Sequence, residues 1–285
     1  ELEIRPVGKG TVRFFGWVLE RDRPGVVLHN LGVTGAQAAN VLPGHPGLIQ
    51  QQLQRLDPTL VVLHVGTNDA FDRNLSAARY EKRFTALLKR LRPAPSPPDC
   101  LVVGAPDFSD KHWRKARRLR KQAAMIRRVQ RKVAVASGCA FWDQYAAMGG
   151  RGAIKRFLRA RPAWAYSDKV HLTSRGYRAL GRLLTDALLA EYGAYVKARP
   201  RLKVRLQPPT RAQRREEAEA RRQWPSGVTP VGIHDPSKRA LHRFFRSLVL
   251  LQRRVKRARS RIVYLGDSHV AGDHLTGALR QRLQV

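Results

Sequence analysis

The chain has 285 residues, enough for one large domain or two small ones, and its 43% hydrophobic content supports a sizeable core. No apolar run approaches the roughly 18 residues of a helical membrane span. Lys and Arg number 55 against 21 Asp and Glu, a formal net charge of +34, which favours acidic partners such as nucleic acid, an anionic membrane surface or a polyanionic wall polymer.

Much of the surplus sits in residues 111–132, 199–222 and 243–261. It reads first as solvated helix faces and linkers, ahead of a specific nucleic-acid site. The chain opens on Glu1 with no signal-peptide pattern, so export is not legible in it.

Residues 1–20 alternate around Gly8-Lys9-Gly10 (Leu2, Ile4, then Val12, Phe14, Val18) and predict a β-hairpin outside the main pattern. Pro24-Gly25 ends it. A strand is expected over residues 26–31, followed by Gly32-Val33-Thr34-Gly35 and a helical start that Pro43 and Pro46 interrupt. Residues 59–65 form a continuous apolar run, the mark of a strand buried on both faces, and end in Gly66-Thr67-Asn68-Asp69. A helix is expected over 77–91, with Tyr80, Phe84 and Leu88 on one face. Strand 100–103 follows, then a strongly basic helix over 113–136 and a short strand over 139–142. The polar loop Tyr166-Ser167-Asp168-Lys169-Val170-His171 leads into a long amphipathic helix from Ser174 to Tyr195.

Beyond Ala198 the pattern dissolves. Pro200, Pro208, Pro209, Pro225 and the charged 211–222 stretch read as a basic linker with one solvated helix. Leu241, Phe244, Phe245, Leu248 and Leu251 then mark an amphipathic helix. It feeds the apolar run 261–265, which breaks off in Gly266-Asp267-Ser268 before a second helical pattern (Leu275, Leu279, Leu283). Strands alternating with helices argue for a parallel sheet covered on both faces. No internal repeat is present. The expected divisions are 1–25, 26–198, 199–230 and 231–285, with the second and fourth forming one domain.

There are two cysteines, Cys100 and Cys139, each opening an apolar run. On neighbouring parallel strands their sulfurs sit at equal height and can bridge; the alternative is a pair of buried thiols.

Polar clusters end three of these strands, at Gly35, at Asn68 and at Ser268, so a parallel sheet brings them to one edge. Ser268 is either a nucleophile or a helix N-cap. As a nucleophile it needs a base, and His171 fits. Asp168, three residues earlier, can hold the other imidazole nitrogen. The Ser268 and Gly35 N–H groups and the Asn68 amide can meet a developing oxyanion.

These four blocks resemble the SGNH/GDSL hydrolases: a Gly-Asp-Ser turn with Ser268, a Gly at Gly35, an Asn in Gly66-Thr67-Asn68-Asp69, and Asp-x-x-His at Asp168 and His171. The resemblance covers residues 26–196 and 240–284. It implies a three-layer α/β/α fold with a five-stranded parallel flavodoxin-like sheet. It also implies a serine esterase, with catalytic Ser268, His171 and Asp168 and an oxyanion hole of Ser268, Gly35 and Asn68. The expected substrate is an acetyl or other short acyl ester on a carbohydrate such as peptidoglycan, or a small ester, and an anionic polymer would suit the charge. No cofactor and no metal are called for, and a periplasmic or secreted setting is implied. An O-acyltransferase with the same triad is one alternative, and a catalytically silent basic polyanion-binding module is another.

One departure stands out. The Ser block comes last here and first in the family, so the chain is read as circularly permuted, with two incomplete joined copies as the alternative. Residues 1–25 resemble the tail of an accessory β-domain that some family members insert. Other residues read as structural. His29 and His64 are expected in the core, Asp69 as a cap or hydrogen-bond acceptor, and Trp142, Asp143 and Met148 in packing or at a pocket rim. His269, His274, Asp267 and Asp273 suggest a metal site only weakly. No Gly-x-Ser-x-Gly elbow occurs, which argues against an ordinary α/β-hydrolase.

Overall fold

The strand that carries the Gly-Asp-Ser turn sits inside the sheet although it comes last in the chain. A computed structural model describes residues 3, 5, 7–12, 20, 22–41, 46–93, 95–110, 112–204 and 210–283. In chain order the elements begin β1 (Gly25–Gly32), α1 (Pro46–Leu56), β2 (Leu60–His64), α2 (Ala77–Leu91), β3 (Asp99–Val103), α3 (Trp113–Ala136) and β4 (Ala140–Trp142). Then come α4 (Gln144–Ala147), α5 (Ala153–Arg159), α6 (Ser174–Lys197), α7 (Arg211–Arg222), β5 (Ile233–His234), α8 (His242–Gln252), β6 (Arg259–Gly266), α9 (Ser268–Ala271) and α10 (His274–Leu283). The hairpin expected over residues 1–20 falls mostly outside the described residues.

The sheet order is β1-β6-β2-β3-β4-β5. All pairs from β1 to β4 are parallel, and β6 pairs with both β1 and β2. Counting β6 as the first strand, the parallel part has the 2-1-3-4-5 order of flavodoxin-like sheets. The expected five strands become six, because Ile233 and His234 add an antiparallel edge against Trp142 and Phe141. A two-residue strand carries no alternation that a sequence can display.

β2 is buried at every position, as its continuous apolar run predicts. Alternate side chains feed the two faces. Leu60, Val62, Leu101, Ile262 and Tyr264 pack under α5, α6, α8 and α10. Val61, Leu63, Val102, Val263 and Leu265 pack under α1, α2 and α3. Truncating a residue such as Leu63 to Ala removes contacts from a core with no solvent access and costs about 2–5 kcal/mol.

Gln130 of α3 holds the carboxyl edge together. Its amide donates to the Val65 carbonyl (2.7 Å) and accepts from the Ala105 N–H (3.1 Å), tying the exits of β2 and β3 to one helix. Cys100 and Cys139 lie side by side on the α3 face and are joined in a disulfide, with Cα atoms 4.7 Å apart.

Residues 199–230 hold a 3-10 turn, Pro200–Leu202, and α7. Trp224, Val228 and Val231 pack against the core, and the Trp142 indole donates to the Val231 carbonyl (3.0 Å).

Candidate active site

At the end of β6 the chain turns sharply into α9. A Cβ on Gly266 would lie 2.3 Å from Val270 Cγ2 and 2.8 Å from the His64 carbonyl oxygen, so only glycine lets the helix close on the strand. The capping role falls to Asp267, whose carboxylate accepts the His269 N–H at 3.0 Å. That leaves Ser268 as the first helical residue with its hydroxyl free for a tertiary partner.

The partner is His171. Its Nε2 lies 2.9 Å from Ser268 Oγ. Its Nδ1 lies 2.7 Å from Asp168 Oδ2. Asp168 Oδ1 also accepts the N–H groups of Val170 (2.9 Å) and His171 (3.0 Å), an Asx-type turn that orients both residues. Burial pushes the Asp168 carboxyl up, but the hydrogen bonds from the His171 ring and the two amides outweigh it and hold the group below the ordinary carboxylate range. It is therefore an anion at neutral pH. The His171 and Asp168 side chains are 40% and 47% exposed, so this edge is open to bulky molecules.

Gly35 and Asn68 reach the same edge by register. Gly32 and His64 both pair with Gly266, so the loops leaving β1 and β2 flank the Ser268 turn. Gly35 takes φ +78°, a conformation that favours glycine, with open space where a Cβ would stand. Asn68 donates one amide hydrogen to the Ala36 carbonyl at 3.1 Å, which leaves its second available. Asp69 accepts the Ala38 N–H at 3.1 Å and so acts as the structural acceptor expected of it. Burial raises its carboxyl to about 6. The Ala36 carbonyl that orients Asn68 is a backbone group with no signature in the sequence.

Beneath Ser268 lies a buried polar layer. His64 and His269 stack with ring centroids 6.0 Å apart, and the Tyr177 hydroxyl meets His269 Nδ1 at 2.9 Å. Burial pushes His64 down to about 4 and His269 well below the usual histidine range, so both are neutral. Asp267 is also buried, and burial pushes it up to about 7.

His29 departs from the core placement expected of it. It lies on the edge strand β1, half-buried, 3.7 Å from Glu20. Trp142 and Met148 are fully buried and Asp143 caps α4 by accepting the Ala146 N–H, so all three serve packing and local structure. The histidines and acids of the last turn do not converge as a ligand set. His274 meets Ser174 (3.1 Å), Asp273 meets Arg280 (2.9 Å), and His269 meets Tyr177.

A family model, the GDSL-like lipase/acylhydrolase family, matches residues 7–179. The chain belongs to that family. The match spans Gly35, Asn68, Asp168 and His171 and ends before β6. Among solved structures, a peptidoglycan O-acetylesterase is 29% identical with a TM-score of 0.42, over 55% of this chain and 44% of that one. The lipase/acylhydrolase from Enterococcus faecalis is 18% identical with a TM-score of 0.40, over 53% of this chain and 69% of that one. The chain thus spans under half the length of the first of these. No curated protein matches it.

Proposed function

We propose that Ser268, His171 and Asp168 are the nucleophile, general base and orienting acid of this esterase. The Ser268 and Gly35 N–H groups and the Asn68 amide are its oxyanion donors. The observation that carries the reading is the unbroken chain Ser268 Oγ, His171 Nε2, His171 Nδ1, Asp168 Oδ2, with contacts of 2.9 and 2.7 Å.

The chemistry follows from that chain. Ser268 Oγ attacks the ester carbonyl carbon while His171 Nε2 takes its proton. The anionic Asp168 stabilises the resulting imidazolium and fixes its tautomer. The carbonyl oxygen becomes an oxyanion, and donors already in place stabilise it. Collapse breaks the bond to the alcohol oxygen, which leaves with the proton from His171. Water then attacks the acyl-Ser268 ester, again losing its proton to His171, and releases the carboxylic acid.

The substrate reading is a short acyl group, acetyl first, on a carbohydrate. The open edge supports a bulky alcohol portion. Tyr166, 54% exposed and joined through its N–H to the His171 carbonyl (2.9 Å), offers an aromatic face beside the reacting groups. The chain order is read as a permutation of the family's blocks, supported by the seat of β6 between β1 and β2. The test is a fluorophosphonate serine probe followed by peptide mapping. Labelling at Ser268 that is lost in His171→Ala is the expected result, and labelling elsewhere or none overturns the assignment.

A further inference from the structure

A groove of about 390 Å³ lies between α3 and the segments that leave β3 and β4. Arg117, Arg120, Lys121, Arg127 and Arg151 line it, with Tyr145 at its side. Among the described residues none of the five cations forms an ion pair. The acidic residue of the lining, Asp107, is buried and turned inward, with its carboxylate accepting the Ile154 N–H at 3.0 Å. The groove is therefore a predominantly cationic surface, with Asp107 and Asp143 acting as counter-charges on Arg127.

Its position ties it to the reacting edge. The loop leaving β3 at the carboxyl edge lines the groove through Pro106, Asp107 and Phe108, and the next residue, Ser109, donates its N–H to the Lys169 carbonyl at 2.9 Å. Lys169 lies in the Asp168–His171 turn. The cations at 117, 120, 121 and 127 recur at helical spacing along one face of α3 and cover about 15 Å of its length. The Arg127 guanidinium carbon stands over the Tyr145 ring, 3.8 Å from its centroid, a cation–π contact that helps hold the side chain in place. Planar guanidinium forks match carboxylates in two-point contacts.

We infer that this groove is a binding subsite for the carboxylates of an anionic polysaccharide, which it holds while an acyl ester of the same chain reaches Ser268. The inference rests on the esterase reading for its catalytic half only. Helix spacing presents the charges as a row, which suits a ligand whose charge recurs along a chain rather than a single small anion.

The test has two arms. In the first, Ser268→Ala protein is titrated with deacetylated polygalacturonate at low ionic strength, with and without the added changes Arg117→Ala, Arg120→Ala and Lys121→Ala. Affinity is expected to fall about tenfold or more with those changes, and salt is expected to weaken what they remove. Arg117→Glu alone, at an exposed position, is expected to act in the same direction. In the second arm, kcat/KM is compared on acetylated polygalacturonate and on neutral acetylated xylan. The ratio is expected to drop about tenfold in the triple variant, mainly through KM. Equal affinity with and without the three cations overturns the subsite, as does tighter binding of a single-stranded oligonucleotide in the same groove. Loss of turnover on every ester with the cation-dependent binding intact overturns the esterase reading and leaves the subsite standing.

Discussion

His171 Nε2 stands 2.9 Å from Ser268 Oγ, a contact that spans 97 residues of chain and joins the Asp168–His171 turn to the Gly266–Ser268 turn. The Asp168 turn holds the imidazole from its other side. Without that base the hydroxyl is a weak nucleophile at neutral pH. His171→Ala is expected to lower kcat on p-nitrophenyl acetate by about 10³-fold, within the range for a positioned general base. Steady-state kinetics from pH 6 to 9 check this. A variant within tenfold of wild type contradicts it.

Asn68 is held by the Ala36 carbonyl with one hydrogen to spare. Asn68→Ala is expected to reduce kcat about 100-fold with little change in KM, because in the proposed role the donor acts on charge present only in the transition state. A change confined to KM assigns Asn68 to substrate binding instead.

The parallel core was legible in the sequence because its strands are long apolar runs that end in glycine and polar residues, as at Gly66 and Gly266. The elements that escaped were those whose apolar positions are sparse. β5 has two residues, and α5 lies inside a basic stretch. In residues 199–230 the packed side chains Trp224 and Val228 follow no helical or strand period, so charge dominates their appearance. At the site, residue types were readable and partners were not. Whether Ser268 caps a helix or faces a base depends on Asp267 taking the cap, which only the folded turn reveals.

The Cys100–Cys139 bond joins neighbouring strands on the α3 face. Denatured, unreduced protein is expected to show no free thiol, and reduced protein two. Replacing both cysteines with Ala is expected to cost about 2–5 kcal/mol in chemical denaturation. Two thiols titrating without reductant refute the bond.

Asp267 links the turn to pH. Burial raises its carboxyl from 3.8 to about 7 in the folded protein. The unfolded chain releases that proton near 4 and the folded chain holds it until about 7, so the stability it contributes is present below pH 4 and lost as pH rises to 7. Asn cannot titrate, and its side-chain oxygen can still accept the His269 N–H. The melting temperature of Asp267→Asn relative to wild type is expected to be higher at pH 8 than at pH 4. A difference independent of pH, or one of opposite sign, contradicts the account.

The central claim is tested most directly by the turnover of Ser268→Ala on p-nitrophenyl acetate and on an acetylated polysaccharide, with circular dichroism and melting recorded on the same material. Ser268 Oγ is the hydroxyl in contact with His171 Nε2, so loss of turnover on both substrates with the fold intact is predicted. Wild-type rates in that variant would contradict the claim that Ser268 is the nucleophile.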